Sequence, residues 1–541
     1  MEDAATDYFD ALSRLDGSIS VRNRYRVLGT VLVQAVDQKV KGVDIKFSGL
    51  FAKIEYLVKE YQVRKKDKSL SMAINDVRVR LREADITDDT TLESSFAIDL
   101  KAVVRFIALV YGVVVPEALE ARFPLTEYRH YRHRLTGADG HTVKALRCVI
   151  DSWDDEYVMV TREDTGEPAR IRYALQDKFT MGDWSYLRDL FVANEVLSVV
   201  KPREADGIIY PELLIFAPDC LVNVTTIAQC YDDTGASPLV ALLEKIKPRT
   251  TTEPILLGNF AGQLLDEAAY GIDIEYADSI RDFFRRNALS FAACPQLSKD
   301  FHKEAQRQKQ NIRHAISTNY RQKLHQDFRS DDIILEPSFF SPVLGLQGRM
   351  DFLGLDYRVV IEQKSGKGAF APGCPPDKLA GAQVKHLVQL LLYRALLHYD
   401  YAQLDYSELY SFLLYSKYTD GLLDVTSMPK LLFEAIKLRN GIARCELACA
   451  RGGMDILDEL TPESFYPNAI GKLWTDYVRP QTEALLRPIH EASDLERAYY
   501  FRMLRFIAGE HLLSRLGNKT KENAGFAATW TSTVEEKRQA G

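Results

Sequence analysis

Apolar residues recur three and four positions apart through the first 135 residues, as in Tyr25–Val36 and Phe47–Tyr61, and this spacing predicts helices. The period changes near position 136. VKALRCVIDSW, EYVMVTRE and ARIRYAL read as short strands separated by Asp-Asp and Thr-Gly-Glu-Pro turns, so 136–204 is expected to form a small β module. From 205 to 455 strands and helices mix. LLIFAPDCLVNVTTIAQCY comes first, then a helix near Pro238–Ile246, a long basic helix over 296–326, a strand at ELYSFLLYSKY and a helix over Met428–Cys449. The remainder, 456–541, reads as helical, with Thr461-Pro462 as a helix start and Ser493…Glu496 as a capping box. The pattern predicts a multidomain α+β or α/β protein.

Between the basic helix and ELYSFLLYSKY, Gly345–Tyr393 holds two apolar runs rich in β-branched residues. They flank Asp356-Tyr357 and predict a hairpin, followed by a Pro/Gly-rich loop and a helix at KHLVQLLLYRALL. Asp351 falls on the first strand, and Glu362 and Lys364 on the second. Residues two apart on a strand share a face, so Glu362 and Lys364 point together, and the hairpin lets Asp351 approach Glu362. Unpartnered charges are costly in an apolar setting, so three of them here need a reason.

The chain has 541 residues, 46% hydrophobic and 27% charged, too long for a single core. No run is long and apolar enough to span a membrane, and the acidic start MEDAATDYFD argues against a secretory signal. Seven cysteines lie scattered without CxxC pairs, which predicts neither a disulfide framework nor a zinc finger. A reducing cytoplasm, of bacterial type, is the expected compartment. The net charge of −7 means that nucleic acid could be gripped only through local basic patches. Three stand out: Arg64-Lys65-Lys66 with Lys68, YRHYRHR at Tyr128–Arg134, and the stripe Lys303, Arg307, Lys309, Arg313, Arg321, Lys323. Each also reads as a solvated helix face; His130 and His133 lack companion metal ligands nearby. No GxxxxGK[ST] occurs, so no ATP site of the P-loop kind is expected in the chain.

Phosphodiester hydrolysis uses a divalent cation to organise the attacking water and offset charge on the phosphate. Hard oxygens suit Mg²⁺ or Mn²⁺. Asp351 and Glu362 are candidate ligands, with the Gln363 backbone carbonyl as a third. Lys364 is a candidate for handling the water or steadying the phosphate. Gln389 and Tyr393 share a helix face and could reach back to Lys364 or the phosphate, with His386 on the same rim. Against this stands an ordinary amphipathic hairpin with a surface ion pair and a packed Tyr393.

The ordered set Gly348-Arg349-x-Asp351, Glu362-x-Lys364 and Gln389-x-x-x-Tyr393 resembles the PD-(D/E)XK nucleases of the RecB-like branch. The nearest likeness is to the nuclease half of nuclease-helicases that process flaps and resected ends. PELLIFAPDCLVNVTTIAQC, PILLGNFAGQLLDEA, IILEPSFFSPVLGLQGRMDF, IEQKSGK, HLVQLLLY, KLRNGIA, ERAYYFRMLRFIAGEHL and GFAATW are similar to successive segments of that family, covering about 205–541. Residues 1–204 are not covered.

The resemblance implies a nuclease core over 205–455, a mixed sheet flanked by helices. It implies catalysis by Asp351, Glu362 and Lys364 with Gln389 and Tyr393, and a DNA path along Lys303, Arg307, Arg313, Arg321, Lys323, Arg349 and Lys367. The loop Lys367–Gln383 would gate the site. Two departures stand out. The family's first-motif histidine is Gly262 here, leaving His314 and Glu336 as substitutes. Of four iron–sulfur cysteines only Cys230, Cys445 and Cys449 have counterparts, so no cluster is expected. Relatives continue into a helicase, so a motor in cis or in trans is expected after 456–541. The expected activity is metal-dependent cleavage of single-stranded or flapped DNA. The rivals are a nuclease fold that grips DNA without cutting, and a platform for a motor.

Overall fold

The computed structural model describes residues 2–43, 47, 49–84, 87–124, 145–174, 180–232, 235–401, 404–518 and 525–532. Tyr128–Arg134, with His130 and His133, lies outside the described residues, as do the side chains of Arg64 and Lys68. The fold is mixed α and β, in two compact units: Met1–Leu135 with Glu253–Ile333, and Thr136–Thr252 with Ile334–Gly541. Among the described residues no helix is long and apolar enough to cross a membrane.

The first unit is helical. Val21–Val40, Leu50–Glu60, Lys68–Glu83 and Asp89–Tyr111 bury the spaced apolar faces read from the sequence, including Leu28, Leu32, Ile54, Ile74, Val103 and Ile107. Inside them Arg80 makes two 2.6 Å bonds to the buried Asp99 carboxylate, which also accepts from the Tyr25 hydroxyl at 2.7 Å. Residues 253–333 join these helices and not the sequence-adjacent strands. Their apolar faces find partners there: Tyr270 meets Phe51 edge-on at 5.3 Å, and Arg78 donates to the Asp331 carbonyl at 3.0 Å.

The basic helix forms as Phe301–His314, a π turn at Ala315–Asn319, and Tyr320–Leu324. Its cations meet acids both near in sequence and far from it. Arg307 pairs with Glu304, Arg313 with Asp273 and Arg321 with Asp327. Lys309 is buried, 3.5 Å from the Glu267 carboxylate and bonded to the Ile274 carbonyl and Ser279 hydroxyl. Lys303 is exposed on the same helix, and Lys323 closes it.

The second unit carries the sheets. The strands are β1 Ala145–Trp153, β2 Tyr157–Arg162, β3 Pro168–Arg172, β4 Val196–Val200, β5 Arg203–Ala205, β6 Ile208–Tyr210 and β7 Leu213–Phe216. They form one seven-stranded sheet in the order β5-β6-β3-β2-β1-β4-β7. The sheet therefore runs past position 204, because β7 pairs antiparallel with β4 from Leu213 to Phe216.

Further along come β8 Val222–Asn223, β9 Tyr231–Asp232, β10 Gly235–Ala236, β11 Ile333–Leu335, β12 Ser338–Ser341, β13 Leu346–Arg349, β14 Phe352–Gly354, β15 Val359–Lys364, β16 Tyr410–Tyr415 and β17 Leu422–Asp424. β9 and β10 pair with each other alone. A five-stranded mixed sheet, β11-β14-β15-β16-β17, has β15 at its centre, antiparallel to β14 and parallel to β16. The Val384–Leu396 helix makes the β15-to-β16 crossover, since parallel strands need such a connection. A three-stranded sheet, β12-β13-β8, lies beside it in sequence.

The first hairpin strand expected over 345–355 is broken in two. Glu336 N–H donates to the Asp351 carbonyl at 3.1 Å and Met350 N–H to the Pro337 carbonyl at 3.1 Å, continuing the β12–β13 register of Ser338 with Arg349. One two-stranded ladder thus turns a corner and gives β12 and β13 to one sheet, β11 and β14 to the other. Glu336 makes the turn in left-handed backbone, φ 50°, where the opposite chain buries Met350 completely.

Candidate active site

Asp351 sits at this corner, just before β14. Phe352 faces Ile361 and Leu353 faces Val360, so the same register sets Asp351 opposite Glu362. Asp351 Oδ2 accepts the Gln363 backbone N–H at 2.7 Å. A strand residue sends its N–H and C=O to the same edge, so the Gln363 carbonyl also faces the Asp351 side.

Glu362 is 3% exposed. Its Oε1 accepts from Lys364 Nζ at 2.8 Å and from Gln389 Nε2 at 2.6 Å. Lys364 Nζ also donates to Gln389 Oε1 at 2.8 Å. The three side chains close a ring of hydrogen bonds in which each fixes the other two. Helical spacing over 384–396 is what brings Gln389 down onto the strand.

Glu362 Oε2 is buried and has no hydrogen-bond partner among the described residues. Burial first, then the neighbouring Asp351, pushes the Glu362 carboxyl up to about 8, against the pull of Lys364. Burial likewise raises Asp351, opposed by Lys364 and by the Gln363 N–H.

Tyr393 is fully buried, and its hydroxyl donates to the Arg349 carbonyl at 2.7 Å. It therefore ties the end of β13 to the helix. A β-carbon at Gly348 would stand 3.0 Å from the Tyr393 ring, so any larger residue there would press on the ring that makes this tie. His386 Nδ1 is 2.7 Å from the Tyr415 hydroxyl, which also accepts the Gln383 N–H at 3.0 Å. With the His386 ring neutral, Nδ1 can accept the Tyr415 proton. Burial, with Lys364 and Lys385 nearby, holds His386 down to about 3.

Glu336 pairs with Arg349 at 3.0 Å on the surface, a contact worth little by itself. Lys367 is exposed at the start of the following loop. His314, Lys303, Arg307, Arg313, Arg321 and Lys323 belong to the first unit, as does Gly262 on the Glu253–Ala269 helix.

Three residues that hold the site have no role in the sequence reading. Tyr415, the parallel partner of Lys364, bridges His386 and Gln383. Arg439 and Asn440, on the Pro429–Arg451 helix, are completely buried. Arg439 donates to the carbonyls of Gly345 at 3.0 Å, Ala217 and Cys220 at 2.8 Å each, and Phe216. Asn440 accepts the Phe216 N–H and donates to the Leu214 carbonyl, both at 3.0 Å. This helix therefore staples β7 to the loop that launches β13. A β-carbon at Gly345, φ 62°, would fall 2.1 Å from the Arg439 guanidinium. The only sequence sign was the LRN triplet, an arginine and asparagine on an otherwise apolar helix face.

The donor set fits a divalent cation: a buried, unpartnered carboxylate oxygen beside a second carboxylate, with a backbone carbonyl on the same edge. It is a lean set. Among the described residues no three or more His, Cys, Asp or Glu side chains converge as a metal site. Cys230, Cys445 and Cys449 are thiols whose pKa values burial raises, to about 12 and about 11 for the first two. No protein-family model matches the chain, and no curated protein matches it.

Proposed function

We propose that the chain is a Mg²⁺- or Mn²⁺-dependent nuclease of the PD-(D/E)XK, RecB-like type, hydrolysing phosphodiester bonds in single-stranded or flapped DNA and working with a helicase motor. One observation carries the reading: the buried, unpartnered Glu362 Oε2 opposite Asp351, beside a lysine held in place by Gln389. Nothing in the fold requires that arrangement. A hairpin with Val or Thr at these positions would pack without the desolvation penalty.

A bound divalent cation would polarise the phosphate and acidify the attacking water. Asp351 and Glu362 supply the negative charge that would hold it. Two of the three Lys364 protons are engaged, by Glu362 and Gln389, leaving the third to meet a phosphate oxygen or the attacking water. Gln389 positions Lys364, Tyr393 positions the corner, and neutral His386 positions the loop base through Tyr415.

End-labelled single-stranded and flap DNA, incubated with the purified chain and Mg²⁺, Mn²⁺ or EDTA, tests the reading. Metal-dependent cutting that Lys364→Ala abolishes, with binding retained, is the expected result. Cutting that survives unchanged in Lys364→Ala would remove the site assignment. A second reading, gripping without cutting, draws on the two-carboxylate donor set and on Gly262 where the resembling family carries histidine. It predicts tight binding and no cleavage with either metal.

A further inference from the structure

The loop 365–383 begins immediately after Lys364 and ends immediately before the helix that carries Gln389. Its neck is tied. Ala369 N–H donates to the Gly381 carbonyl at 2.7 Å, and Gln383 Nε2 to the Lys367 carbonyl at 2.7 Å. The neck is so narrow that a β-carbon at Gly368 would lie 2.4 Å from the Gly381 carbonyl oxygen. Just beyond it stands Phe370, 90% exposed. Phe370 is six residues from Lys364, so the two are at most about 20 Å apart along the chain.

A phenyl ring left in water contributes no burial to the fold, and here it is carried on a braced loop that connects the strand of Lys364 to the helix of Gln389. The loop that carries it is cationic in sequence. Between 365 and 385 three lysines, Lys367, Lys378 and Lys385, stand against one acid, Asp377, a local charge of +2 in a chain of −7. All three lysines are exposed and form no ion pair among the described residues. An aromatic face flanked by positive charge is the composition that accepts unstacked bases while tracking phosphates. An apolar protein partner would not call for the three lysines.

We infer that Phe370 is a base-stacking residue that receives an unpaired nucleobase of a single-stranded nucleic acid next to the Asp351/Glu362/Lys364 site. The inference rests on the nuclease reading for its substrate. It assigns specificity for unpaired over paired bases to a side chain that duplex DNA, with its bases already stacked, cannot engage.

The test uses the full chain in EDTA, a labelled 20-nucleotide single strand, and an abasic strand of equal length. Phe370→Ala should weaken binding of the base-bearing strand by about 5- to 150-fold, the worth of one aromatic–base stack, and leave the abasic strand unchanged. Phe370→Trp should retain the affinity, with indole fluorescence quenched on binding. Equal affinity of wild type and Phe370→Ala for the base-bearing strand would overturn the inference. So would equal losses on both strands, which would mark a damaged fold. A strand bound through Phe370 yet never cut with Mg²⁺ or Mn²⁺ would overturn the nuclease reading and leave this one standing.

Discussion

Glu362→Gln should flatten the dependence of stability on pH in the absence of divalent metal. In the fold the Glu362 carboxyl holds its proton up to about pH 8, against 4.5 for an ordinary glutamate. Below pH 4.5 both folded and unfolded chains are protonated, and burial of the neutral group carries no electrostatic penalty. Between 4.5 and about 8 the unfolded chain releases the proton and the fold does not, so stability falls as pH rises. At about 1.36 kcal/mol per pH unit, the interval sets an upper bound of roughly 5 kcal/mol. Glutamine keeps the shape and an acceptor for Lys364 but cannot ionise. Guanidinium unfolding in EDTA at pH 5, 7 and 9 should give a slope for the wild type that is missing in Glu362→Gln. Added Mn²⁺ should restore wild-type stability at pH 9 and do much less for the variant. Parallel slopes for the two proteins would refute the argument, whatever their absolute stabilities.

Three other outcomes are expected. Arg439→Met should leave the carbonyls of Gly345, Phe216, Ala217 and Cys220 without their donor, at about 1–3 kcal/mol each, so denaturant midpoints should report a loss of about 4 kcal/mol or more; a loss under about 1 kcal/mol would contradict the staple. His386 is neutral in the fold down to about pH 3 but protonates near 6.5 when unfolded, so it removes stability as pH falls below 6.5, and His386→Gln should show a shallower acid limb in a thermal-melt series. At pH 8 a thiol reagent should modify the part-exposed Cys294 and Cys374 promptly, and reach the buried Cys230 and Cys449 and the high-pKa Cys445 only on unfolding; fast labelling of Cys445 would contradict its raised pKa.

The hairpin of the site was legible because two local signals agree. Apolar runs flank Asp356-Tyr357, and the turn there places Asp351 across from Glu362, with Tyr357 in left-handed backbone at φ 62°. The Val384–Leu396 helix was legible from its spacing. The corner at Met350 and Asp351 was not, since the run GLQGRMDFLGL reads as one strand and the division arises from pairing with two different sheets. The spacing of Gln389 and Tyr393 placed both on one helix face, but the bond from the Tyr393 hydroxyl to the Arg349 carbonyl depends on the corner and was not readable. The partners of the basic stripe were not legible either. Its helix was readable, but Glu267 and Asp273, which meet Lys309 and Arg313, lie far away in sequence and no periodicity shows them.

The corner also sets an order of assembly. From Glu336 to Lys364 the chain is two consecutive hairpins, and their short loops close quickly. The parallel pairing that brings Tyr415 beside Lys364 must wait for the whole crossover, and the bond from Arg439 to Phe216 joins residues 223 apart. Asp351 and Glu362 therefore meet first in water, as ionised carboxylates at the open end of a hairpin, and are sealed later by β16 and the Gln389 helix. On the proposed metal-dependent reading, a cation present at that stage would join the two carboxylates before the packing around Glu362 is complete. In pulse-labelled hydrogen exchange the amides of Leu353 and Ile361 should gain protection before those of Leu413 and Tyr415, and manganese should shorten the interval between them.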